Sequence, residues 1–244
     1  MRPVSKFHGA RNDFIIVDAR RQRLDDVVAF ARRWCDRRTG IGADGLLVIG
    51  PSDRTLVSMR VINADGSEAE MCGNGVRCVA RYLDERGEES RLEVDTLGGI
   101  VRTEVLERGE VYRVRVDVGE PRILWNEGND ARVDVGNPHL VLFRDAIETV
   151  DLVALGRDHP DLNVHVAAVE TPSALRVRHF ERGAGLTMAC GTGAVASAVA
   201  AIVRGGVHSP VEVRVPGGEL TIEWNGNGHA FMTGPAVHVF DTQI

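Results

Sequence analysis

The chain has 244 residues, 43% of them hydrophobic, and a formal charge of −6 built from interspersed acids and bases. Such a composition supports one large core or two modest ones and argues against disorder; the lack of a basic stripe excludes nucleic acid as the expected partner. No apolar run approaches the ~18 residues of a membrane span and the first residues form no export signal, so no membrane partner is expected and the expected location is cytoplasmic.

In chain order, alternating apolar patterns predict strands over Phe14–Asp18, Leu56–Ile62, Val111–Val118, Leu175–Phe180, Val211–Val215 and Leu220–Trp224. Helical patterns are fewer: Leu24–Asp36, Gly75–Arg86 and Gly193–Arg204, the last two closing on Gly87 and on Gly205-Gly206. The stretch Gly119 to Asp130, GEPRILWNEGND, has the Gly, Pro and Asn content of a linker.

The organising feature is a repeat. VINADGSEAEMCGNGVRCVARYL surrounds Cys72 and HFERGAGLTMACGTGAVASAVAAIV surrounds Cys190, each reading strand, polar turn, Cys-Gly-x-Gly, helix. An asparagine leads an apolar strand upstream of each, Asn12 in NDFIIVD and Asn137 in NPHLVLF. Duplication predicts two domains, residues 1–118 with Cys72 and 119–234 with Cys190, and a cleft between them as the natural ligand site. The fold class expected is α+β.

The chemistry follows from where the cysteines stand. A thiol at a helix N-terminus sits where unpaired N–H groups and the helix dipole favour negative charge, so it can act as a base. The N–H groups of Gly73-Asn74 and Gly191-Thr192 can hold a carboxylate and stabilise the enolate-like charge formed as an alpha proton leaves. One such cysteine would suggest a nucleophile or redox thiol. Two in mirrored contexts suit inversion of a stereocentre, where one group removes a proton from one face and another delivers a proton to the opposite face.

Together MCGNG (Met71 to Gly75), GNPH (Gly136 to His139), ERG (Glu181 to Gly183) and ACGTG (Ala189 to Gly193) resemble the diaminopimelate epimerase family. The resemblance runs from FHGARNDF through RRTGIGADG and NADGS to the C-terminal GPAVHVF, nearly the whole chain. It implies two similar pseudo-twofold-related domains, each a small β-barrel-like sheet around a central helix, with 235–244 a strand returning to the first domain. It further implies conversion of LL- to meso-diaminopimelate in lysine and peptidoglycan precursor synthesis, with no cofactor and no metal, by an enzyme that is commonly a homodimer.

By the same resemblance Cys72 and Cys190 match the catalytic pair, and His139 and Glu181 match residues that adjust their ionisation. Asn12, Asn63, Gly73, Asn74, Asn137, Asn163, Glu181, Arg182, Gly191 and Thr192 match contacts to the small amino-acid substrate. A double amino acid needs an Arg for its distal carboxylate and amide oxygens for its distal ammonium, which this set can supply. The chain departs from the pattern at Gly45, often glutamine in relatives, at Leu186, often glutamate, and in the segment DHPDLNVHV (Asp158 to Val166), shorter than the family's usual run before Asn163.

Blander readings compete. Free cysteines are most often buried packing residues, and Cys35 and Cys78, inside helical patterns, are assigned that role. Cys72 and Cys190 could also oxidise to an inactive disulfide. His8, His159, His165, His179, His208, His229 and His238 show no metal-ligand spacing and are read as structural. With Lys6 the only lysine, a pyridoxal phosphate Schiff base has one candidate. Two functions remain as alternatives: a related racemase with another substrate, and a non-catalytic thiol-redox or metabolite-binding module, which would not need Asn63, Asn137 and Arg182 beside its thiols.

Overall fold

The computed structural model describes residues 1–244. It separates into two units, Met1–Val116 with Pro235–Ile244, and Asp117–Gly234.

The first unit contains β1 (Pro3–Gly9), β2 (Asn12–Asp18), α1 (Val27–Trp34), β3 (Gly45–Gly50), β4 (Val57–Asn63), β5 (Glu68–Ala69), α2 (Gly73–Asp84), β6 (Arg91–Thr96), β7 (Gly99–Glu107) and β8 (Tyr112–Asp117). Strands pair in the sequence β1, β2, β3, β4, β6, β7, β8, with β2–β3 and β4–β6 parallel and the rest antiparallel. The final strand of the chain lies beside both β1 and β8 and closes the ring of eight.

Strand alternation sorts the side chains into two layers. Ile15, Val17, Leu46, Val48 and Ile62 face outward and form a cluster with Phe30 and Ala31 of α1. Their neighbours Phe14, Ile16, Leu47, Ile49 and Val61 are also buried, on the inner face. That face surrounds α2, whose residues Gly73 to Leu83 are all buried. Ala80 of α2 packs with Val105, Val114 and Ala236. A helix buried on every side needs strands behind it on every side, and each Ile or Leu so enclosed contributes roughly 1.5–3 kcal/mol.

The second unit repeats the plan with β9 (Arg122–Glu127), β10 (Asp130–Asp134), β11 (Pro138–Phe143), α3 (Leu152–Asp158), β12 (Asn163–Thr171), β13 (Ala174–Glu181), β14 (Gly185–Thr187), α4 (Gly191–Val203), β15 (Val211–Val215), β16 (Gly218–Glu223) and the start of β17 (Phe231–Gln243). Pairing runs β9, β10, β11, β12, β13, β15, β16, β17, with β11–β12 and β13–β15 parallel. Leu140, Leu142, Val164 and Val166 face outward onto Leu152 of α3. Residues Gly191 to Ala201 of α4 are buried throughout. The α+β class expected from the sequence is therefore observed.

Three expectations need adjusting. The Gly119–Asp130 stretch expected as a linker is mostly strand: β9 pairs with β10 around the Glu127–Asp130 turn. Its Ile-Leu-Trp run carries β propensity that the flanking Gly, Pro and Asn obscured. Helices α2 and α4 begin at Gly73 and Gly191, two residues before the expected starts, because each cysteine is itself the N-cap. Helix α1 is shorter than Leu24–Asp36, since the Asp26 carboxylate caps it by accepting the Ala29 N–H.

Candidate active site

In the first unit the helix start places Cys72 in extended backbone, φ −141° and ψ 110°, with Sγ accepting the Gly75 N–H at 3.4 Å. Sulfur thus fills the capping role that Ser, Thr, Asp or Asn usually serves. A Cβ at Gly75 would lie 2.9 Å from Leu47 Cδ2 of β3, so the glycine lets the helix start sit close against that side chain. Asn12 opens β2 with its Oδ1 accepting from Cys72 Sγ at 3.8 Å and from Asn74 Nδ2 at 3.1 Å.

The orientation of the Asn12 amide has a cause one layer back. Its Nδ2 donates to Asp44 Oδ2 at 2.8 Å, and a carboxylate can only accept, so Oδ1 must be the end turned toward Cys72. Arg37 holds Asp44 at 2.7 Å and Asp13 at 2.6 Å. Burial opposes ionisation of Asp13, but hydrogen bonds from Arg37 and Lys6 prevail and bring its pKa down to about 2. Asn63 stands apart from this group: its Nδ2 bonds Ser67 Oγ at 2.9 Å.

Beneath Cys72 lies a buried cation. Arg77, one turn along α2, has no exposed surface and donates to Asn74 Oδ1 at 2.8 Å, Gly73 O at 3.2 Å and Pro235 O at 3.2 Å. Burial lowers its pKa to about 10, opposed by the attraction of Cys78 and Cys72. Arg77 therefore stays protonated at neutral pH, and its field favours negative charge at Cys72. Cys78 and Cys35 are buried thiols pushed up by burial to about 12 and about 11, as packing residues should be.

In the second unit Cys190 caps α4 in a matching extended conformation, φ −116° and ψ 111°. Here the surroundings are opposite in sign. Cys190 is 3% exposed and burial raises its pKa well above the ordinary value; the charge of Glu181 and a hydrogen bond to it raise it further. The Thr192 hydroxyl, 3.7 Å from Sγ, counters only in part. The stable pair is a Cys190 thiol donating to a Glu181 carboxylate.

Asn163 begins β12 and spends both ends of its amide on the protein: Nδ2 donates to Pro138 O at 3.2 Å, and Oδ1 accepts the Arg182 N–H at 3.1 Å. It ties the GNPH turn to the ERG turn and fixes the Arg182 backbone, while the Arg182 side chain is exposed. His139 lies inside β11, fully buried. Its Nε2 meets Asn137 Oδ1 at 2.8 Å and its Nδ1 meets His165 Nε2 at 2.8 Å. His165 Nδ1 in turn meets His179 Nδ1 at 2.8 Å. Burial lowers the pKa of His139 and of His179 to about 3, and that of His165 well below its usual value, so all three are neutral.

Sequence reasoning placed the two cysteines with Asn12, Asn74, Thr192 and Glu181, and these do gather around their respective thiols. It missed Asp44, Arg37 and Arg77, and read His165 and His179 singly. Asp44 and Arg37 lie inside the quoted RRTGIGADG motif, which was the available signal. No group of three or more His, Cys, Asp or Glu side chains is arranged to hold a metal ion. No helix is long and apolar enough to cross a membrane.

Comparison with known proteins bears on this geometry. The sequence profile described as Diaminopimelate epimerase matches residues 4–124 and 131–239. A diaminopimelate epimerase of Pelotomaculum thermopropionicum is 43% identical over 97% of this chain and 96% of its own. That of Bacteroides thetaiotaomicron is 43% identical over 98% of this chain and 97% of its own. Among solved structures, a Bacillus anthracis phenazine biosynthesis protein of the PhzF family aligns with TM-score 0.78 at 16% identity, covering 100% of this chain and 99% of that one. A hydroxyproline epimerase from Agrobacterium vitis, with trans-4-OH-L-proline bound, aligns at TM-score 0.71 and 13% identity over 99% and 90%. At such identities these structures speak to the fold alone.

Proposed function

The chain belongs to the diaminopimelate epimerase family and is an isomerase, and from that premise we propose that it converts LL-diaminopimelate to meso-diaminopimelate with Cys72 and Cys190 as its acid/base pair. The observation that carries this reading is the recurrence of a cysteine as N-cap of an internal, fully buried helix in both units. The different electrical settings of the two thiols give each a role in the reacting complex.

Cys72, a thiol donating to Asn12 Oδ1, becomes the thiolate that removes the alpha proton of the LL isomer once its own proton is lost, its charge favoured by the buried Arg77 cation. Cys190, held as a thiol by burial and by Glu181, delivers its proton to the opposite face. The electron pair left on the alpha carbon is delocalised into the adjacent carboxylate, whose charge is met by the N–H groups that open α2 and α4. After turnover Cys72 carries the proton and Cys190 the charge. Repulsion from Glu181 then favours reprotonation of Cys190, and the reverse reaction runs with the roles exchanged.

The exposed Arg182 guanidinium, on a backbone fixed by Asn163, serves the distal carboxylate. Asn12, Asn63, Asn74, Asn137, Gly73, Gly191 and Thr192 complete the substrate contacts. The reaction uses no cofactor, takes place in the cytoplasm in lysine and peptidoglycan precursor synthesis, and is performed by a homodimer. Incubation of the reduced protein with LL-diaminopimelate, followed by isomer-resolved chromatography, tests the assignment. Meso isomer should accumulate to an equilibrium mixture; an unchanged LL sample, with another amino acid racemised instead, would overturn it.

A further inference from the structure

The second unit contains an unbroken file of imidazoles, to two of which, His165 and His179, the acid/base chemistry assigns no role. Asn137, His139, His165 and His179 are joined end to end by three contacts of 2.8 Å, crossing β11, β12 and β13. His139 and His165 have no exposed surface and His179 is 1% exposed. The file runs under the start of α4, where a Cβ on Gly193 would come within 2.3 Å of His165 Cε1. His165 is thus clamped by two hydrogen bonds and a helix backbone.

A neutral imidazole has one donor and one acceptor nitrogen, so each contact in the file must hold one proton, and fixing one tautomer fixes all. Asn137 presents Oδ1, an acceptor, to His139 Nε2. His139 must then be protonated at Nε2 and bare at Nδ1, His165 protonated at Nε2 and bare at Nδ1, and His179 protonated at Nδ1. The far end, His179 Nε2, is buried without a partner and in this arrangement is a bare lone pair. The opposite arrangement would bury an orphan N–H there and would also require the Asn137 amide to be turned around. Orphan buried N–H groups are the rarer kind in folded proteins.

We propose that His165 and His179 are positioning residues that lock His139 in its Nε2–H tautomer and thereby hold the Asn137 amide with Nδ2 turned away from the file, toward the substrate. Asn137 is then a hydrogen-bond donor for a carboxylate oxygen and not an acceptor for an ammonium group. The part of this that concerns substrate rests on the function proposed above; the tautomer pattern does not.

Long-range ¹H–¹⁵N correlation spectra of the ¹⁵N-labelled protein at neutral pH read the pattern without any turnover. His139 and His165 should appear as Nε2–H tautomers and His179 as Nδ1–H, all neutral. The reverse pattern, or a cationic imidazole among the three, overturns the proposal. His165→Leu should release the lock, mixing the His139 tautomers and raising KM for diaminopimelate by about tenfold with a smaller change in kcat. His165→Gln, which keeps an Nε2 donor for His139, should retain the tautomer and most of the affinity. If folded His165→Leu keeps both, or His165→Gln loses both, the positioning role is wrong. If the spectra agree but no diaminopimelate turns over in the parent protein, the substrate assignment fails and the lock stands.

Discussion

Helices α2 and α4 occupy the same place in their units, each buried on every side and each capped by a cysteine, yet their polar cargo differs. Helix α2 carries its polarity on itself, as Arg77 bonded to Asn74 and to the Gly73 and Pro235 carbonyls. Helix α4, GTGAVASAVAAIV, is almost wholly apolar, and the polar groups come from the strands around it as Glu181 and the histidine file. A duplicated frame thus places a cysteine at the same helix start in both units, and in the proposed reaction the unlike residues around them suit Cys72 to charge and Cys190 to a proton. Inversion needs that difference in the reacting complex, since two thiolates cannot deliver a proton and two thiols cannot remove one.

Removing either thiol should have the largest effect. Cys72→Ala and Cys190→Ala should each reduce epimerisation by about 10²- to 10⁴-fold or more, while one-sided alpha-proton exchange survives on the face served by the remaining cysteine. Isomer-resolved kinetics check this, and substantial epimerisation by either variant would end the two-thiol account. Next comes Arg77→Ala, which leaves buried acceptors without their donor and opens a cavity inside the first unit. A loss of about 2–5 kcal/mol in stability is expected from denaturant unfolding; a neutral result would mean that Arg77 is not the polar anchor of α2.

Two glycines sharpen the comparison. At Gly193 an added methyl meets the His165 imidazole, which is held by hydrogen bonds at both nitrogens; at Gly75 it meets the end of a leucine side chain at 2.9 Å. Gly193→Ala should therefore destabilise by about 1–3 kcal/mol more than Gly75→Ala, because only the leucine can turn aside. Equal melting temperatures for the two variants would contradict the rigidity assigned to the file.

A further test is pH. The unfolded chain protonates its histidines below 6.5, whereas burial keeps His139 and His179 neutral down to about 3. Stability from these groups is fully present above 6.5 and is lost as pH falls from there toward 3, by about 1.4 kcal/mol per pH unit for each histidine. In the first unit Asp13, lowered from 3.8 to about 2, keeps its contribution until pH falls below 3.8. Hydrogen exchange at pH 5 and pH 7 should show the second unit loosening first. Equal change in both units, or loosening of the first alone, would refute the assignment.

Much of this was legible in the sequence for a specific reason: the repeat of Cys-Gly-x-Gly fixes a turn, an N-cap and a helix start at once, so Cys72, Cys190 and their neighbours could be placed from residues alone. Strands β2, β4, β8, β13, β15 and β16 are named from their patterns, whereas β3, β6, β7 and β12 are not, although β7 alternates in burial. What escaped notice depended on pairing across strands. His165 and His179 are 14 residues apart and become partners only because β12 and β13 run antiparallel in that register. Arg77 reads as a solvated helix position until the helix is known to be enclosed. Asp44 controls the Asn12 amide from 32 residues away, a relation that no local pattern contains.

The most direct test of the central claim is turnover of LL-diaminopimelate by the reduced protein in deuterated water, with isomer composition and alpha-deuteration followed together. Two thiols acting on opposite faces predict that newly formed meso isomer carries deuterium at the inverted carbon from the first turnover, because the delivered proton comes from the solvent-exchanged Cys190 and not from the one Cys72 removed. Meso product that retains its original alpha hydrogen would mean that a single group removes and returns the proton, and would contradict the account.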